Sequence, residues 1–112
     1  MASNILVISN FRNSSMSYMS SLHGYGFDIE DTRTLEAAWI LLRAGSQFDA
    51  IVIDVKFHAD EIADFIHSVR SEINPTIKIV VVGCEYELPE ADECLARPIN
   101  FEDILQVLEP IH

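Results

Sequence analysis

The sequence predicts a three-layer α/β/α sandwich built on a parallel sheet, and three observations carry that prediction. Three short β-branched runs, NILVISN (Asn4 to Asn10), AIVIDV (Ala50 to Val55) and IKIVVVGC (Ile77 to Cys84), are nearly unbroken apolar stretches. Strands buried on both faces read this way, whereas a half-exposed sheet alternates apolar with polar residues. Segments with apolar residues at helical spacing separate the runs, so strand and helix alternate along the chain. A length of 112 residues allows one such domain, spanning 1–112.

The elements follow in order. After the first strand, Met16, Met19 and Leu22 form a thin helical stripe, with Gly24 placed to end that helix. YGFDIED then reads as a second, weaker strand. Leu35, Ala38, Trp39 and Leu42 line one face of a second helix, closed by Gly45. Beside that stripe stand Ala37, Ile40, Leu41 and Ala44, so the helix is apolar almost all round. Such a helix is covered on more than one side, by its own domain or by a partner. Ala50 to Asp54 forms the third strand. Ile62, Phe65, Ile66, Val69 and Ile73 line a third helix, with Asp60 and Glu61 in its first turn and Arg70 near its end, as the helix dipole favours.

The fourth strand is followed by residues 85–93, EYELPEADE, which hold five acids, one proline and no cation. A regular alternation would put a fourth helix here, and this stretch predicts one that is shortened or absent. Apolar side chains of IKIVVV would then face water unless another protein packs on them. As a bare segment, the stretch reads as a solubilising loop or an electrostatic guide for a basic partner. ECLAR is a fifth strand stopped by Pro98, and Asn100 caps a last helix that turns Phe101, Ile104, Leu105 and Leu108 inward.

Composition excludes several function classes. Apolar residues make up 49% and charged residues 22%, which suits a folded globule. Seven Lys and Arg stand against 18 Asp and Glu, a formal charge of −11. That surface repels phosphate backbones and anionic lipids, so neither nucleic acid nor membrane is an expected partner. No apolar run approaches the roughly 18–20 residues of a membrane span. MASNILVISN lacks a basic region and a cleavage-site pattern, and with two cysteines a cytoplasmic setting is expected.

In parallel α/β sheets, function gathers beyond the carboxyl ends of the strands. Those ends here are Ser9 and Asn10, Asp54, Gly83 with Cys84, and Arg97 with Pro98. Asp54 is the signal, because an acid closing the run AIVI is costly unless it is paired or used. Cys84 and Cys94 flank the acidic stretch and read as two buried small hydrophobes, with a regulatory disulfide as the alternative. His58, Glu61, Asp64 and His67 recur at roughly helical spacing. They match no ligand motif and read as a solvated helix face. No phosphate-binding loop or nucleophile elbow occurs.

FDAIVIDV resembles the strand that carries the phospho-accepting aspartate in receiver domains of two-component response regulators. RPINFEDIL is similar to their Lys-Pro element and last helix, and GYGFDIEDTRTLEAAWILL to their second strand and helix. The resemblance runs the whole length of the chain. It implies a flavodoxin-like, CheY-like five-stranded parallel sheet in the order 2-1-3-4-5, with Asp54 as the phospho-acceptor equivalent. It also exposes departures. Receivers hold Mg²⁺ with an acidic pair after the first strand, where this chain has Ser9 and Asn10. They place Thr or Ser after the fourth strand and Lys before the proline, where Gly83 and Arg97 stand. The aromatic switch position is Cys94, and the Met-Pro pair after the aspartate is Phe57 and His58.

These losses define the expected function. Mg²⁺ wants octahedral oxygens that include carboxylates, and without it phosphoryl transfer loses its main charge neutraliser. The forked guanidinium of Arg97 is suited to hold Asp54 in an ion pair. The chain thus reads as a pseudo-receiver, a signalling module without enzymatic activity, metal or cofactor, acting through protein contact. The expected partner is a signalling protein, a histidine kinase or a regulator, or a second copy forming a dimer. Ala37, Ile40, Leu41, Ala44 and Cys94 are its candidate interface. Two alternatives stand beside it: a receiver phosphorylated at Asp54 by a histidine kinase, and a sensor for a quinone-like or flavin-like ligand where the fourth helix is missing.

Overall fold

The computed structural model describes residues 3–9, 12–54, 59–83, 88–95 and 100–109, with the backbone alone for 12–17 and 59. Five strands form one parallel sheet: β1 (Asn4–Ser9), β2 (Asp28–Thr32), β3 (Ala50–Asp54), β4 (Lys78–Val82) and β5 (Glu93–Leu95). Their order across the sheet is β2-β1-β3-β4-β5, as the resemblance to receiver domains implies. The helices are α1 (Arg12–Tyr25), α2 (Leu35–Arg43), α3 (Ala59–Glu72) and α4 (Phe101–Leu108).

The two-residue period of each strand sorts its side chains between two layers. Leu6, Ile8, Ile51, Ile53, Ile79 and Val81 point toward α2 and α3, where they meet Ala38, Leu42, Ile62, Phe65, Ile66 and Val69. Ile5, Val7, Ala50, Val52, Val80 and Val82 point the other way, onto Tyr18 and Leu22 of α1 and Ile104 and Leu108 of α4. β1, β3 and β4 are therefore buried on both faces, which is why their sequences lack alternation. β2 is an edge strand whose Asp28, Glu30 and Asp31 are exposed, charges that discourage another strand from pairing there.

Helix ends follow their local chemistry. Thr34 Oγ1 accepts the Ala37 N–H at 3.0 Å and starts α2. Gly45, at φ +96°, lies just past its end. Asn100 and Asp103 form a reciprocal capping box on α4. On the outside of the α2–α3 layer, Arg43 pairs with Glu72 at 3.1 Å and lies over the Trp39 ring, which meets Phe65 edge-on.

Two expectations about boundaries are corrected, the end of α1 and the start of the second strand. α1 continues through Gly24 to Tyr25, and the glycine that ends it is Gly26, at φ +120°. Among the described side chains of α1 the buried ones are Tyr18 and Leu22, with Met19 only partly covered, and the side chain of Met16 lies outside them. The second strand begins at Asp28 rather than Tyr25, because Tyr25 closes the helix and Phe27 turns into the core. The fifth strand is Glu93–Leu95, and Ala96 and Arg97 lie outside the described residues.

The larger correction concerns the missing fourth helix. Between β4 and β5, no helix occurs among the described residues, yet Ile79 and Val81 are almost fully buried rather than facing water. Leu88 and Ala91 pack against the same core, beside α3, and complete the cover. Arg70 holds the segment 88–92 in place. Its guanidinium donates to the Glu90 carbonyl (2.7 Å), the Pro75 carbonyl (2.9 Å), the Ile77 carbonyl (3.1 Å) and Asp92 Oδ2 (3.0 Å). Asp92 Oδ2 also accepts the Ile79 N–H at 2.7 Å, and the Asp92 N–H donates to the Ile79 carbonyl at 2.8 Å. His67 Nδ1 lies 3.0 Å from Glu90 Oε1, so His67 serves this contact as well as facing solvent. The acidic connector is thus tied down over most of its described length, and the expected uncovered sheet is absent.

A mostly buried guanidinium with four acceptors should be costly to remove, because the carbonyls and carboxylate it serves would lose their partner. Arg70→Met is expected to lower unfolding free energy by about 2–4 kcal/mol in urea titration. Arg70→Lys should recover less than half of that loss, since an ammonium cannot reproduce the fork.

Candidate functional site

The carboxyl ends of β1, β3 and β4 bring Ser9, Asp54 and Gly83 onto one rim of the sheet. Ser9 and Asp54 are direct register partners across β1 and β3. Asp54 continues the face of Ala50 and Val52, so its side chain points into the α1 layer rather than the α2–α3 layer. Its residue exposure is 0%, and Ser9 is 8% exposed.

Tyr18 meets Asp54 there. Its hydroxyl donates to Asp54 Oδ2 at 2.7 Å, and Tyr18 is itself fully buried. One turn further along α1, Leu22 fills the layer beneath it, so the helix presents one apolar and one hydroxyl-bearing side chain to the sheet. A phenol is well suited to this position. Its ring continues the hydrophobic layer, and its hydroxyl supplies a donor to a carboxylate that burial has taken from water. The sequence analysis missed Tyr18 by following the methionines of the segment. The available signal was the spacing of Tyr18 from Leu22, one helical turn.

Gly83 sits past the end of β4 at φ +77°, and its N–H donates to the Leu95 carbonyl of β5 at 2.6 Å. A β-branched residue is strained in that backbone region, so a threonine hydroxyl could be placed here only if the chain shifted. The described donors also do not fit an octahedral Mg²⁺ centre. One carboxylate is present where such a centre wants more, its Oδ2 already accepts a phenol, and its register partner is a neutral serine.

Other predicted positions are placed as follows. Asn10, Cys84, Arg97 and Pro98 lie outside the described residues, as do Phe57 and His58, so the expected Asp54–Arg97 ion pair does too. On α2, Ile40 is 62% exposed and Ala44 is exposed, while Ala37 and Leu41 are half-buried and Leu41 packs against the core. α2 packs on β1, β2 and α3, whereas Cys94 belongs to the strand at the opposite edge of the sheet, so these residues do not form one patch. Cys94 is not the buried small hydrophobe that the sequence suggests: it is exposed and disulfide-bonded. Beside the connector, Ala63, Ile66, Leu88, Pro89 and Glu90 surround a hollow of about 70 Å³. Ligand pockets for drug-sized molecules run to about 300–1,000 Å³, so this hollow does not accommodate a quinone or flavin ring system.

No family model and no curated protein sequence matches the chain. Solved structures do match over essentially its whole length. A response regulator from Thermotoga maritima superposes with a TM-score of 0.84 at 18% identity, covering 99% of this chain and 98% of its own. The chemotaxis response regulator CheY4 of Vibrio cholerae gives 0.83 at 18% identity, with 100% of both chains covered. The response regulator TrrA of Thermotoga maritima, solved in complex with Mg²⁺–BeF, gives 0.82 at 19% identity over 100% of both chains. The fold is that of CheY-like response regulator receiver domains. No helix among the described residues is long and apolar enough to cross a membrane.

The Tyr18–Asp54 bond should be measurable as a pairwise coupling. Tyr18→Phe is expected to cost about 1.5–3 kcal/mol of stability, because it leaves a buried carboxylate short of one donor. In an Asp54→Asn background the same substitution should cost less than about 1 kcal/mol, read by a double-mutant cycle in denaturant.

Proposed function

We propose that this chain is a receiver-fold signalling module that works by protein–protein contact, without Mg²⁺-dependent phosphorylation of Asp54. The observation that carries this reading is the carboxylate itself, fully buried and accepting the Tyr18 hydroxyl. Phosphoryl transfer to an aspartate needs an open oxygen in line with the donor and a metal to neutralise the developing charge. A buried, phenol-bonded oxygen beside Ser9 supports neither requirement. The likeness to CheY4 and other response regulators supports a role in signalling, and Arg97 is proposed as a further partner of Asp54.

A usual receiver also needs contacts that differ between its two states, since a ligand shifts an equilibrium only through such differences. Gly83 offers no hydroxyl to draw toward a phosphoryl group, and Cys94 offers no aromatic ring to follow it. The proposed partner is another signalling protein, a kinase or regulator, or a second copy of the chain. The outer face of α2 at Ile40 is the proposed contact, because Ile40 is the most exposed large apolar side chain described.

The test is titration with Mg²⁺ and beryllofluoride, a phosphoryl mimic, followed by amide NMR. The expected result is no shift at Ser9, Asp54 or Gly83 at millimolar metal. Saturable shifts clustered at those residues would instead establish the second reading, a receiver phosphorylated at Asp54. Molecular mass by sedimentation equilibrium separates a homodimer from a heteromeric partner: a dimer dispersed by Ile40→Glu assigns the contact to a second copy.

A further inference from the structure

We propose that the amino-terminal rim of the sheet carries a binding site for a small organic cation, an amidinium or guanidinium group on an apolar body. A cavity of about 420 Å³ opens there, bordered by the starts of β1, β3 and β4 and by the turns that follow α2 and α3. Cavities of about 300–1,000 Å³ hold small molecules. Asp54 closes the opposite end of β3, five residues on from Asp49, so the proposal stands apart from the reading of that carboxylate.

The cavity has apolar and polar walls. Leu42 and Ile77 are buried, Phe48 and Ile73 are partly buried, and all four pack into the core between the sheet and the α2–α3 layer. Asn4, Ser46, Gln47, Asp49 and Asn74 add amides, a hydroxyl and a carboxylate. Hydrogen bonds hold the turns that carry these groups. The Asp49 N–H donates to the Asn4 carbonyl and Asp49 Oδ2 accepts the Asn4 N–H, both at 2.8 Å. The N–H of Gly45 donates to the Leu42 carbonyl at 3.2 Å, and that of Ser46 to the Leu41 carbonyl at 3.3 Å. The Asn74 N–H donates to the Val69 carbonyl at 2.9 Å, while its Oδ1 accepts the N–H and the hydroxyl of Thr76 at 3.0 and 3.1 Å. A preformed cavity spares a ligand the cost of ordering its walls.

The lining chemistry selects the occupant. Asp49 is the one ionisable side chain among the lining residues, which include no Lys, Arg or His. With a chain charge of −11, phosphates and carboxylates are repelled and cations are drawn in. A planar amidinium or guanidinium donates two parallel N–H bonds to a carboxylate. Each carboxylate oxygen has two lone pairs, so the bond from the Asn4 N–H leaves Asp49 room for both. An apolar body then covers Leu42, Phe48 and Ile73, and the Phe48 ring adds its own attraction for a cation. A hydrated metal ion would leave those apolar walls in water. An arginine side chain of another protein would cover little of them with its narrow stem, so the fit is to a free small molecule.

The experiment titrates the whole chain with benzamidine and follows amide NMR shifts. Saturable shifts are expected at Ser46, Gln47, Phe48, Asp49 and Asn74, with none at Ser9, Asp54 or Gly83. Neutral benzamide should bind at least about tenfold more weakly, and benzoate should not bind. Guanidinium ion, which has the charge without the apolar body, should also be at least about tenfold weaker. Asp49→Asn keeps an acceptor for the Asn4 N–H and should bring benzamidine to within about threefold of benzamide. Ser46→Glu adds a second carboxylate and should tighten benzamidine at least about threefold, which tests the site if Asp49→Asn fails to fold. Absent or unsaturable shifts would overturn the site, as would equal affinity for benzamidine and either benzamide or guanidinium. Shifts centred on the acidic edge at Asp28, Glu30 and Asp31 would overturn it in favour of general charge attraction. Tighter binding of an acetylated arginine amide than of benzamidine would overturn the free small molecule in favour of a protein side chain.

Discussion

A carboxylate with no solvent exposure at the end of a central strand constrains everything built around it. Asp54 cannot be hydrated, so its oxygens must be answered by donors from neighbouring elements. The Tyr18 hydroxyl is such a donor, and it ties α1 to the end of β3. The hydrogen bond also ties the fold to the chemistry. The Tyr18 hydroxyl engages one of the two carboxylate oxygens, Oδ2, of the acid that ends the central strand.

The fold was legible because it is written in runs and periods. Three β-branched strands and the helical stripes of α2, α3 and α4 gave element order and the layered architecture, and the resemblance to receiver domains gave the sheet order. Boundaries depended on particular residues: Gly24 and Gly26 offer the same stop signal, and only the position with positive φ acts as one. The site was legible in part. Asp54 stands out as a lone acid after AIVI, and parity along β3 places it on the α1 face. Tyr18 was obscured because a tyrosine among serines and methionines carries no distinctive local pattern. Its role comes from a contact with a residue 36 positions away.

The connector after β4 shows why a composition argument failed. Five acids and a proline in nine residues look like a solvated loop, and a missing helix looks like an exposed sheet. Neither inference accounts for long-range hydrogen bonding. Arg70 sits at the end of α3, where a cation suits the helix dipole, and the sequence offers no sign that its guanidinium reaches two further segments. Asp92, one acid among five, has a second task as a backbone mimic that continues the ladder at Ile79. The same residues that lower the net charge of the stretch also fasten it.

A cover fastened by a side-chain clamp transmits a structural signal differently from a cover fastened as a packed helix. A helix packed on the sheet moves as a body, and its displacement is resisted by a broad apolar contact. The segment 88–92 has one substantial apolar anchor, Leu88, and a set of hydrogen bonds centred on one guanidinium. Hydrogen bonds to a single side chain make or break together, so this cover has discrete arrangements rather than a graded one. Among the described residues between β4 and β5, the sheet face is thus covered by Leu88 and Ala91 and fastened by Arg70.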